Sequence, residues 1–401
     1  MTLGHNITKE KTFFLRVLSD HIHRRATEPP RNMDWAVFCE YAQNHQVSGI
    51  VYERCKAFLP EKWRELLGEK NAAEVFYFQN RIALLTQIAN SFSEEGIPFY
   101  TVKGLNVAQL YPIPALRTMG DCDIIVHPED KERAHDVFVA MGFEPHSRED
   151  MEWAYWKNGI EFELHDHLLY DEIVNDEQGI AFSEKAWDHA QMVKGSQFAL
   201  DWSFHFVFLL LHLRKHILGS GVGFRQFMDL AVVMRSCALD WPWINTALET
   251  LGLVRFARVC FGLLNRWFET PLPFPCEEME EGFYEEATNK IFANGIFGFH
   301  DKANRENRAL NAITQKSGRR WHARLSNLLQ SIFPPYRHMR YVPQYSYING
   351  RPWLLPTAWI YRFYRGVRYR MIDNGKRMMG NVFVSNEKLD ARERELAKWG
   401  L

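Results

Sequence analysis

Apolar residues recur at helical spacing early in the chain, give way to short strand-like runs, and then return to helical spacing. Residues 8–68 read as helical. Phe13, Phe14, Leu15 and Val17 form one face, and Asp34 is an N-cap for a helix carrying Trp35, Phe38, Cys39 and Ala42. A further helix is expected from about Ala72 to Glu95, with Val75, Phe76, Phe78, Ile82, Leu85, Ile88 and Ala89 recurring near the helical period. Gly96-Ile97-Pro98 breaks that pattern, and Phe99 to Val102 reads as a strand ended by Lys103-Gly104. Leu105 to Tyr111 is a short helix stopped near Pro112 and Pro114. Asp121 to Val126 is a second strand, and Pro128 opens a helix through Met141, with Gly142 as its stop. Trp153–Trp156 and Ile160–His165 pair as a hairpin around Asn158-Gly159. His205–His216, Phe224–Arg235 and Trp241–Asn265 are helical again.

This order describes an α+β chain in which a small mixed sheet sits between helical regions. Four parts are expected: an N-terminal helical region at 1–70, a mixed core at 71–195, a helical domain at 196–330, and a basic and aromatic segment at 331–401 that packs on the body. The chain has 401 residues, 46% of them hydrophobic and 24% charged, which suits several folded units and argues against intrinsic disorder. A formal net charge of −1 leaves any polyanionic partner to a local patch. None of the six cysteines falls in a C-x-x-C pair, so they read as reduced, buried thiols and not as a zinc site. The N-terminus lacks an apolar signal region, and the longest apolar stretch, Phe204 to Leu213, is too short to span a bilayer. A cytoplasmic protein without a transmembrane segment is expected.

The chemistry concentrates around the second strand. Asp121 and Asp123 stand at strand spacing and point to one face, ahead of the apolar run Ile124-Ile125-Val126. Two carboxylates at the open end of a buried strand repel each other unless a cation lies between them. That is the arrangement a divalent metal needs, and it points to phosphoryl or nucleotidyl transfer. On the Ile160–His165 strand, Glu161, Glu163 and His165 share one face, so a third carboxylate is available, Glu163 ahead of Glu161, with His165 as an orienting group. Gly104 allows close backbone approach to a phosphate, Lys103 adds a point charge, and Arg117 suits either phosphate neutralisation or an ion pair with a nearby acid. His212 and His216 stand at i, i+4 with Lys215 between them. No Glu follows His212, so a zinc-protease helix is excluded and polar contacts to a substrate or within the helix remain. Arg225 and Asp229 are most simply a helix ion pair.

With Lys103-Gly104, Arg117, Asp121-x-Asp123 and Glu163-Leu164-His165 in place, the chain resembles the nucleotidyltransferase superfamily typified by DNA polymerase β and the minimal nucleotidyltransferases. More narrowly, it is similar to an uncharacterised bacterial nucleotidyltransferase family. The likeness covers most of the chain, taking in Trp35, Ala42 and His45-Gln46-Val47, then His212, Lys215-His216, Arg225 and Asp229, then Tyr341-Val342-Pro343 through Arg362. One departure is that most members of the superfamily place Gly-Ser or Gly-Gly where this chain has Lys103-Gly104.

The resemblance implies a polymerase β-like core flanked by helical domains. It implies Mg²⁺ or Mn²⁺ held by Asp121, Asp123 and Glu163, and transfer of a nucleoside monophosphate from a nucleoside triphosphate. Lys103, Gly104 and Arg117 would hold the phosphates, with His165, His212, Lys215, His216 and Arg225 nearby. The motif leaves open whether the acceptor is a small molecule, a sugar phosphate, a protein or an RNA end, and leaves the oligomeric state open. Two alternatives stand beside this reading: a non-catalytic nucleotide-binding regulator on the same fold, and a toxin-type nucleotidyltransferase that modifies transfer RNA. In the Arg-rich tract, Ile360, Phe363, Tyr364 and Val367 would form a stripe packed on the helical body, with Arg362 and Arg365 lining the entrance to the site.

Overall fold

Thr8 and Asp34 cap the first two helices, their side chains accepting backbone N–H bonds from Lys11 and from Ala36 and Val37. The computed structural model describes residues 7–147, 153–169, 177–219, 221–275, 279–295, 333–339, 343–348, 350–364 and 386–401. Its N-terminal helices are α1 (Lys9–His23), α2 (Trp35–Asn44), α3 (Ser48–Cys55) and α4 (Glu61–Glu94). The 34 residues of α4 run without a break, so the boundary expected at residue 70 falls inside a helix. Gly68 does not end α4. It lets the helix lie against Tyr52, whose ring would stand 3.2 Å from a Cβ at that position.

The middle of the chain supplies β1 (Phe99–Thr101), α5 (Gly104–Ala108), β2 (Asp123–Val126), α6 (Lys131–Ala140), β3 (Glu144–Ser147), β4 (Trp153–Lys157) and β5 (Ile160–His165). After α7 (Glu177–Ser183) come β6 (Ala190–Lys194) and β7 (Gln197–Leu200). The seven strands form one mixed sheet in the order β3-β4-β5-β2-β1-β7-β6. β2 is parallel to β5 and β1 is parallel to β7, while β1 and β2 are antiparallel. Asn158 and Gly159, at φ 54° and 75°, make the tight turn between β4 and β5 that the sequence predicts. The β6–β7 hairpin was not expected. It carries the sheet past residue 195, where a domain boundary had been placed.

Alternation along the strands divides the sheet's two faces. Phe99, Ile124, Val126, Phe162 and Leu164 join Leu84, Ile88 and Phe92 of α4 and Phe138 of α6 in one core. Tyr100 and Ile125 point the other way, into a larger core shared with helices from both ends of the chain. Those helices include α1 to α3 together with α8 (Trp202–Leu218), α9 (Phe224–Ser236), α10 (Trp241–Thr250), α11 (Val254–Phe268) and α12 (Glu281–Asn294). The N-terminal and central helical regions, separate in sequence, therefore bury one common apolar surface. Asp123 is two residues before Ile125, so its side chain faces this helical body at the junction of sheet and helices.

The C-terminal segment is divided. In the helix at residues 386–398, Arg392 donates to the carbonyls of Ile217 and Leu218 at 3.0 and 3.4 Å, and Trp399 is buried in the larger core. The stripe expected to pack on the body does not do so: Ile360 and Phe363 are 71% and 72% exposed and Tyr364 is also exposed. Ala358, on the opposite side of that helix, is the buried residue, packed with Met339, Tyr345 and Ile348. Val367, Arg365 and Tyr341-Val342 lie outside the described residues. Cys39, Cys55, Cys122 and Cys260 are buried free thiols and Cys237 is half-buried; Cys276 is outside the described residues. Among the described residues no helix is long and apolar enough to cross a membrane.

Where α3 meets α4, burial pushes the Glu74 carboxyl up to about 7, against the opposing pull of a hydrogen bond from the Gly49 backbone and of the Lys70 and Arg225 charges. The folded chain thus holds this proton more tightly than the unfolded chain. Burial of Glu74 costs nothing below about pH 4.5 and reaches its full penalty as the pH rises through about 7, roughly 3 kcal/mol. Glu74→Gln is expected to leave stability at pH 5 nearly unchanged and to raise it at pH 8. Urea melts at the two pH values check this, and an equal effect at both would contradict it.

Candidate functional site

The parallel register of β2 and β5 sets Asp123 beside Glu163, and the Glu163 N–H donates to the Cys122 carbonyl at 3.0 Å. His165, two residues on along the same face, puts Nε2 3.3 Å from Asp123 Oδ1 and 3.3 Å from Glu163 Oε2. Asp123, Glu163 and His165 each offer a ligand atom within 4.8 Å of the others. Asp121 precedes β2, is half-buried, and lines the same cavity without belonging to that close group. Three-way convergence therefore falls on Asp123, Glu163 and His165, where the sequence pointed to Asp121, Asp123 and Glu163. Glu161 lines the cavity too, with its carboxylate accepting from Trp156 Nε1 at 3.1 Å.

Lys103 closes the floor of the site. Its Nζ lies 3.1 Å from Asp123 Oδ1, and its backbone N–H donates to His205 Nε2 at 3.0 Å. The residue sits at φ 52°, ψ −117°, a conformation that glycine adopts easily and lysine does not. The turn is one that favours glycine, and this chain holds a lysine in it. His205, which the sequence reading placed only at the start of a helix, accepts the backbone N–H of that turn. It is buried against Trp202, with rings stacked at 5.2 Å and 9°. Burial and the Lys103 charge lower its pKa to about 4, so the ring is neutral and able to accept the Lys103 N–H. Gly104 begins α5. A Cβ there would meet Met119 Sδ at 3.4 Å, an ordinary contact, so the protein itself does not demand glycine at 104.

The charges are mutually held. Burial alone would raise the Asp123 carboxyl, but Lys103 and His165 keep it well below the usual carboxylate range. Burial raises Glu163, helped by the neighbouring charges of Asp121 and Asp123 and opposed by His165. Burial opposes protonation of His165, yet the two carboxylates raise it to about 9. Lys103 is likewise opposed by burial and raised by Asp123 and Asp121.

A cavity of about 410 Å³ opens over these groups. Its far wall comes from α8 and α9 and includes His212, Lys215, His216 and Arg225. The two imidazoles stand Nε2 to Nε2 at 3.2 Å. Burial and nearby cations lower His212 well below its usual value and His216 to about 4, so both rings are neutral. Arg225 does not pair with Asp229 along the helix. It donates to the Thr118 carbonyl at 2.6 Å and to Gln46 Oε1 at 3.1 Å, tying α9 to the loop before Asp121 and to the α2–α3 connection. Asp229 is taken instead by Arg117, with Nη2 to Oδ2 at 2.6 Å and Nε to Oδ1 at 3.2 Å, and by the Tyr111 hydroxyl at 2.8 Å. Arg117 and Asp229 are both buried, and Arg117 still lines the cavity. Lys103, Gly104, Arg117, Asp121, Asp123, Glu163, His212, Lys215, His216 and Arg225 thus line one cavity; His165 does not and contacts Asp123 and Glu163 instead, while Arg362, expected at the entrance, is not among the lining residues and Arg365 lies outside the described residues. His205, Tyr111 and Gln46 were missed. All three act across long sequence separations, which no local spacing signals.

Two carboxylates and a histidine that would ligate once a bound cation displaced its proton converge on one point, a donor set for a divalent cation. Burial raises the Glu163 carboxyl, the charges of Asp121 and Asp123 add to that, and a bound cation would relieve the repulsion among the three. Hard oxygen donors suit Mg²⁺, and the imidazole is equally acceptable to Mn²⁺.

A family model described as an uncharacterised nucleotidyltransferase matches residues 31–269. The matched span runs from the turn before α2 to Glu269, the residue that caps α11, and holds every residue that lines the carboxylate cavity. No curated protein and no solved structure matches the chain.

Proposed function

Because the chain belongs to this family of uncharacterised nucleotidyltransferases, we propose that it transfers a nucleoside monophosphate from a nucleoside triphosphate to an acceptor, on a polymerase β-like core. The observation that carries the proposal is the pairing of Asp123 with Glu163 across parallel strands, beneath a cavity whose opposite wall is cationic. Asp123 and Glu163 would hold Mg²⁺ or Mn²⁺, with Asp121 at the cavity edge and His165 as a further donor or orienting group. A metal bound there supplies charge neutralisation on the triphosphate and on the departing pyrophosphate.

The chain's own groups do the remaining work. Lys103, Lys215 and Arg225 attract the phosphates, and the small residue at 104 leaves room for the backbone to approach them. Arg117, fixed by Asp229, adds positive potential from the wall. Glu163 has the more basic carboxylate and is the group suited to take the acceptor's proton at Oε2. The neutral His212–His216 pair presents hydrogen-bonding nitrogens without charge, which suits a base or sugar better than a phosphate. The proposal is tested by incubating the protein with each of the four nucleoside triphosphates and Mg²⁺ or Mn²⁺, reading pyrophosphate release and the mass of candidate acceptors. Absence of both metal-dependent nucleotide binding and pyrophosphate release would refute it.

One observation favours a second reading, a nucleotide-binding regulator without turnover. Lys103 and His165 already balance Asp123 within the chain. Nucleotide-dependent heat stabilisation with no pyrophosphate released for any acceptor would select it.

Lys103 gives a further expected outcome. Its backbone strain is of the order of 1–3 kcal/mol, and glycine would relieve it while removing the cation. Lys103→Gly is expected to be more stable than Lys103→Ala by about 1 kcal/mol. Both should weaken nucleotide binding by about 1–3 kcal/mol, the scale of a charged hydrogen bond. Denaturant midpoints and titration calorimetry on the two variants read these effects separately. Equal stability would mean that the turn carries no strain.

A further inference from the structure

The last turn of α8 carries two residues that line the carboxylate cavity, Lys215 and His216. Carbonyls at the end of a helix have no partner within it, so such a turn depends on what caps it. Gly219 donates its backbone N–H to the Lys215 carbonyl at 3.0 Å, and Gly221 donates to the His216 carbonyl at 3.0 Å. The next two carbonyls are capped from far along the chain. Arg392 Nη2 donates to Ile217 at 3.0 Å and to Leu218 at 3.4 Å. Arg392 is only 4% exposed. Its Nη1 donates to Glu395 Oε2 at 2.9 Å, and Glu395 pairs in turn with Lys290 of α12. The guanidinium is therefore fixed by an acid on one edge and holds the end of α8 with the other. From there the chain reaches α9 through Gly219, Gly221 and Gly223, a connection too rich in glycine to hold a helix end in place unaided. The helix at residues 386–398 lies outside the matched family span of 31–269, yet it touches the element that carries the cationic wall.

We propose that Arg392 is a positioning residue of the nucleotide site: by capping α8 it holds Lys215 and His216 at the cavity wall, so that the C-terminal helix takes part in binding the phosphates. This inference rests on the nucleotidyl transfer reading of that cavity. Arginine suits the place. Its planar fork serves carbonyls with one nitrogen and a carboxylate with another, and positive charge is favourable at a helix C-terminus. A last turn without its cap opens at little cost, and a Lys215 displaced with it meets a phosphate from the wrong place. The metal-binding group is set by other means. Asp123 and Glu163 stand on paired strands whose register owes nothing to the C-terminal helix. Arg392 should therefore matter to the nucleotide and not to the metal. An arginine that merely supported the fold would affect both alike.

The test uses the full chain and three variants, Arg392→Gln, Arg392→Lys and Leu396→Ala. Leu396 is buried on the same helix, one turn beyond Arg392, and its side chain makes no bond to a carbonyl. Each protein is titrated with Mn²⁺ alone, and then with Mn²⁺ and whichever of the four nucleoside triphosphates the parent binds most tightly. Arg392→Gln is expected to weaken nucleotide binding about three- to tenfold. It should leave the affinity for Mn²⁺ alone within about twofold of the parent. Amide exchange at Gly219 and Gly221, read without nucleotide, should be faster in this variant. Arg392→Lys keeps the charge without the fork and should fall between the two, and it carries the test if the Gln variant does not fold. Leu396→Ala should lower the unfolding midpoint at least as far as Arg392→Gln does, with nucleotide affinity close to the parent's. Three results would overturn the proposal: both Arg392 variants bind nucleotide like the parent, Leu396→Ala loses as much nucleotide affinity as Arg392→Gln, or Mn²⁺ affinity falls in step with nucleotide affinity. A parent that binds no nucleoside triphosphate refutes the transfer reading. A parent that binds one, and loses nothing when Arg392 is changed, refutes only the role given to Arg392.

Discussion

Asp123→Asn is expected to abolish nucleotidyl transfer and to remove divalent-metal binding, while leaving the fold in place. The carboxylate stands at the centre of the site, with Lys103 Nζ at 3.1 Å and His165 Nε2 at 3.3 Å from the same oxygen. An amide keeps the shape and one acceptor oxygen but supplies no negative charge. Two cationic groups then lose their partner, and a divalent ion loses its most buried ligand. Loss of such a ligand in a metal-dependent phosphoryl site removes stabilisation that exists only when charge develops in the transition state, so the rate suffers more than substrate binding. A fall in rate of three orders of magnitude or more is expected, about 4 kcal/mol in barrier. Calorimetry with Mn²⁺ and a pyrophosphate-release assay read the two effects. The variant also separates the two readings of the site. A regulator would lose metal-dependent nucleotide binding and show no turnover before or after the change. An enzyme would lose turnover from a measurable parent value. If Asp123→Asn binds Mn²⁺ like the parent, the metal assignment is wrong whichever reading holds. Asp121→Asn makes a graded comparison. Asp121 lines the cavity outside the close group, so its loss should cost less than that of Asp123.

What the sequence revealed, and what it hid, divides along local and distant physics. The Asn158-Gly159 turn was legible because only residues tolerant of positive φ make a two-residue hairpin there, and they sit between two alternating runs. The buried strand at Asp123 was legible because β-branched residues follow the acids without interruption. Strand periodicity likewise put Glu163 and His165 on one face, and their register with β2 brought both to Asp123. The hairpin of β6 and β7 was missed. Its first strand is largely exposed, and its second is stabilised by pairing with β1, about a hundred residues earlier in the chain. The sequence reading divided α4 near residue 70, but the helix runs through, and Gly68 within it is explained by the ring of Tyr52 and not by a helix stop. Arg225 and Asp229 matched a helix ion pair by spacing, yet each found a stronger partner elsewhere: Thr118 and Gln46 for one, Arg117 and Tyr111 for the other. The apolar stripe at Ile360 was expected to pack on the helical body, and its described residues Ile360, Phe363 and Tyr364 are exposed instead. Periodicity shows that a face is apolar without showing what covers it.

Asp229→Ala is expected to produce the largest loss of stability of any single change at this site. Asp229 is buried, and it accepts two bonds from the equally buried Arg117 and one from the Tyr111 hydroxyl. Truncation leaves a guanidinium in the interior with no counter-charge, and it leaves a phenol without its acceptor. Arg225, also in the interior and lowered to about 10 by burial and by Arg117, adds repulsion that Asp229 now offsets. Breaking a buried pair from one side costs about 3–5 kcal/mol, well above the worth of the pair against an apolar replacement. The double change Arg117→Met with Asp229→Leu should therefore recover a large part of the stability that Asp229→Ala loses. Its activity should not recover, because the loop from Arg117 to Asp121 is then no longer anchored to α9 by charge and the cavity loses positive potential. Urea denaturation of the parent, the single and the double variant measures the first effect, and pyrophosphate release measures the second. Recovery of both would make Arg117 a purely structural cation. Recovery of neither would mean that Asp229 supports the fold through something other than its pairing with Arg117. Stability regained without activity is the outcome expected of an arginine that is held by an acid on one side and, as proposed, meets the phosphates from the cavity wall on the other.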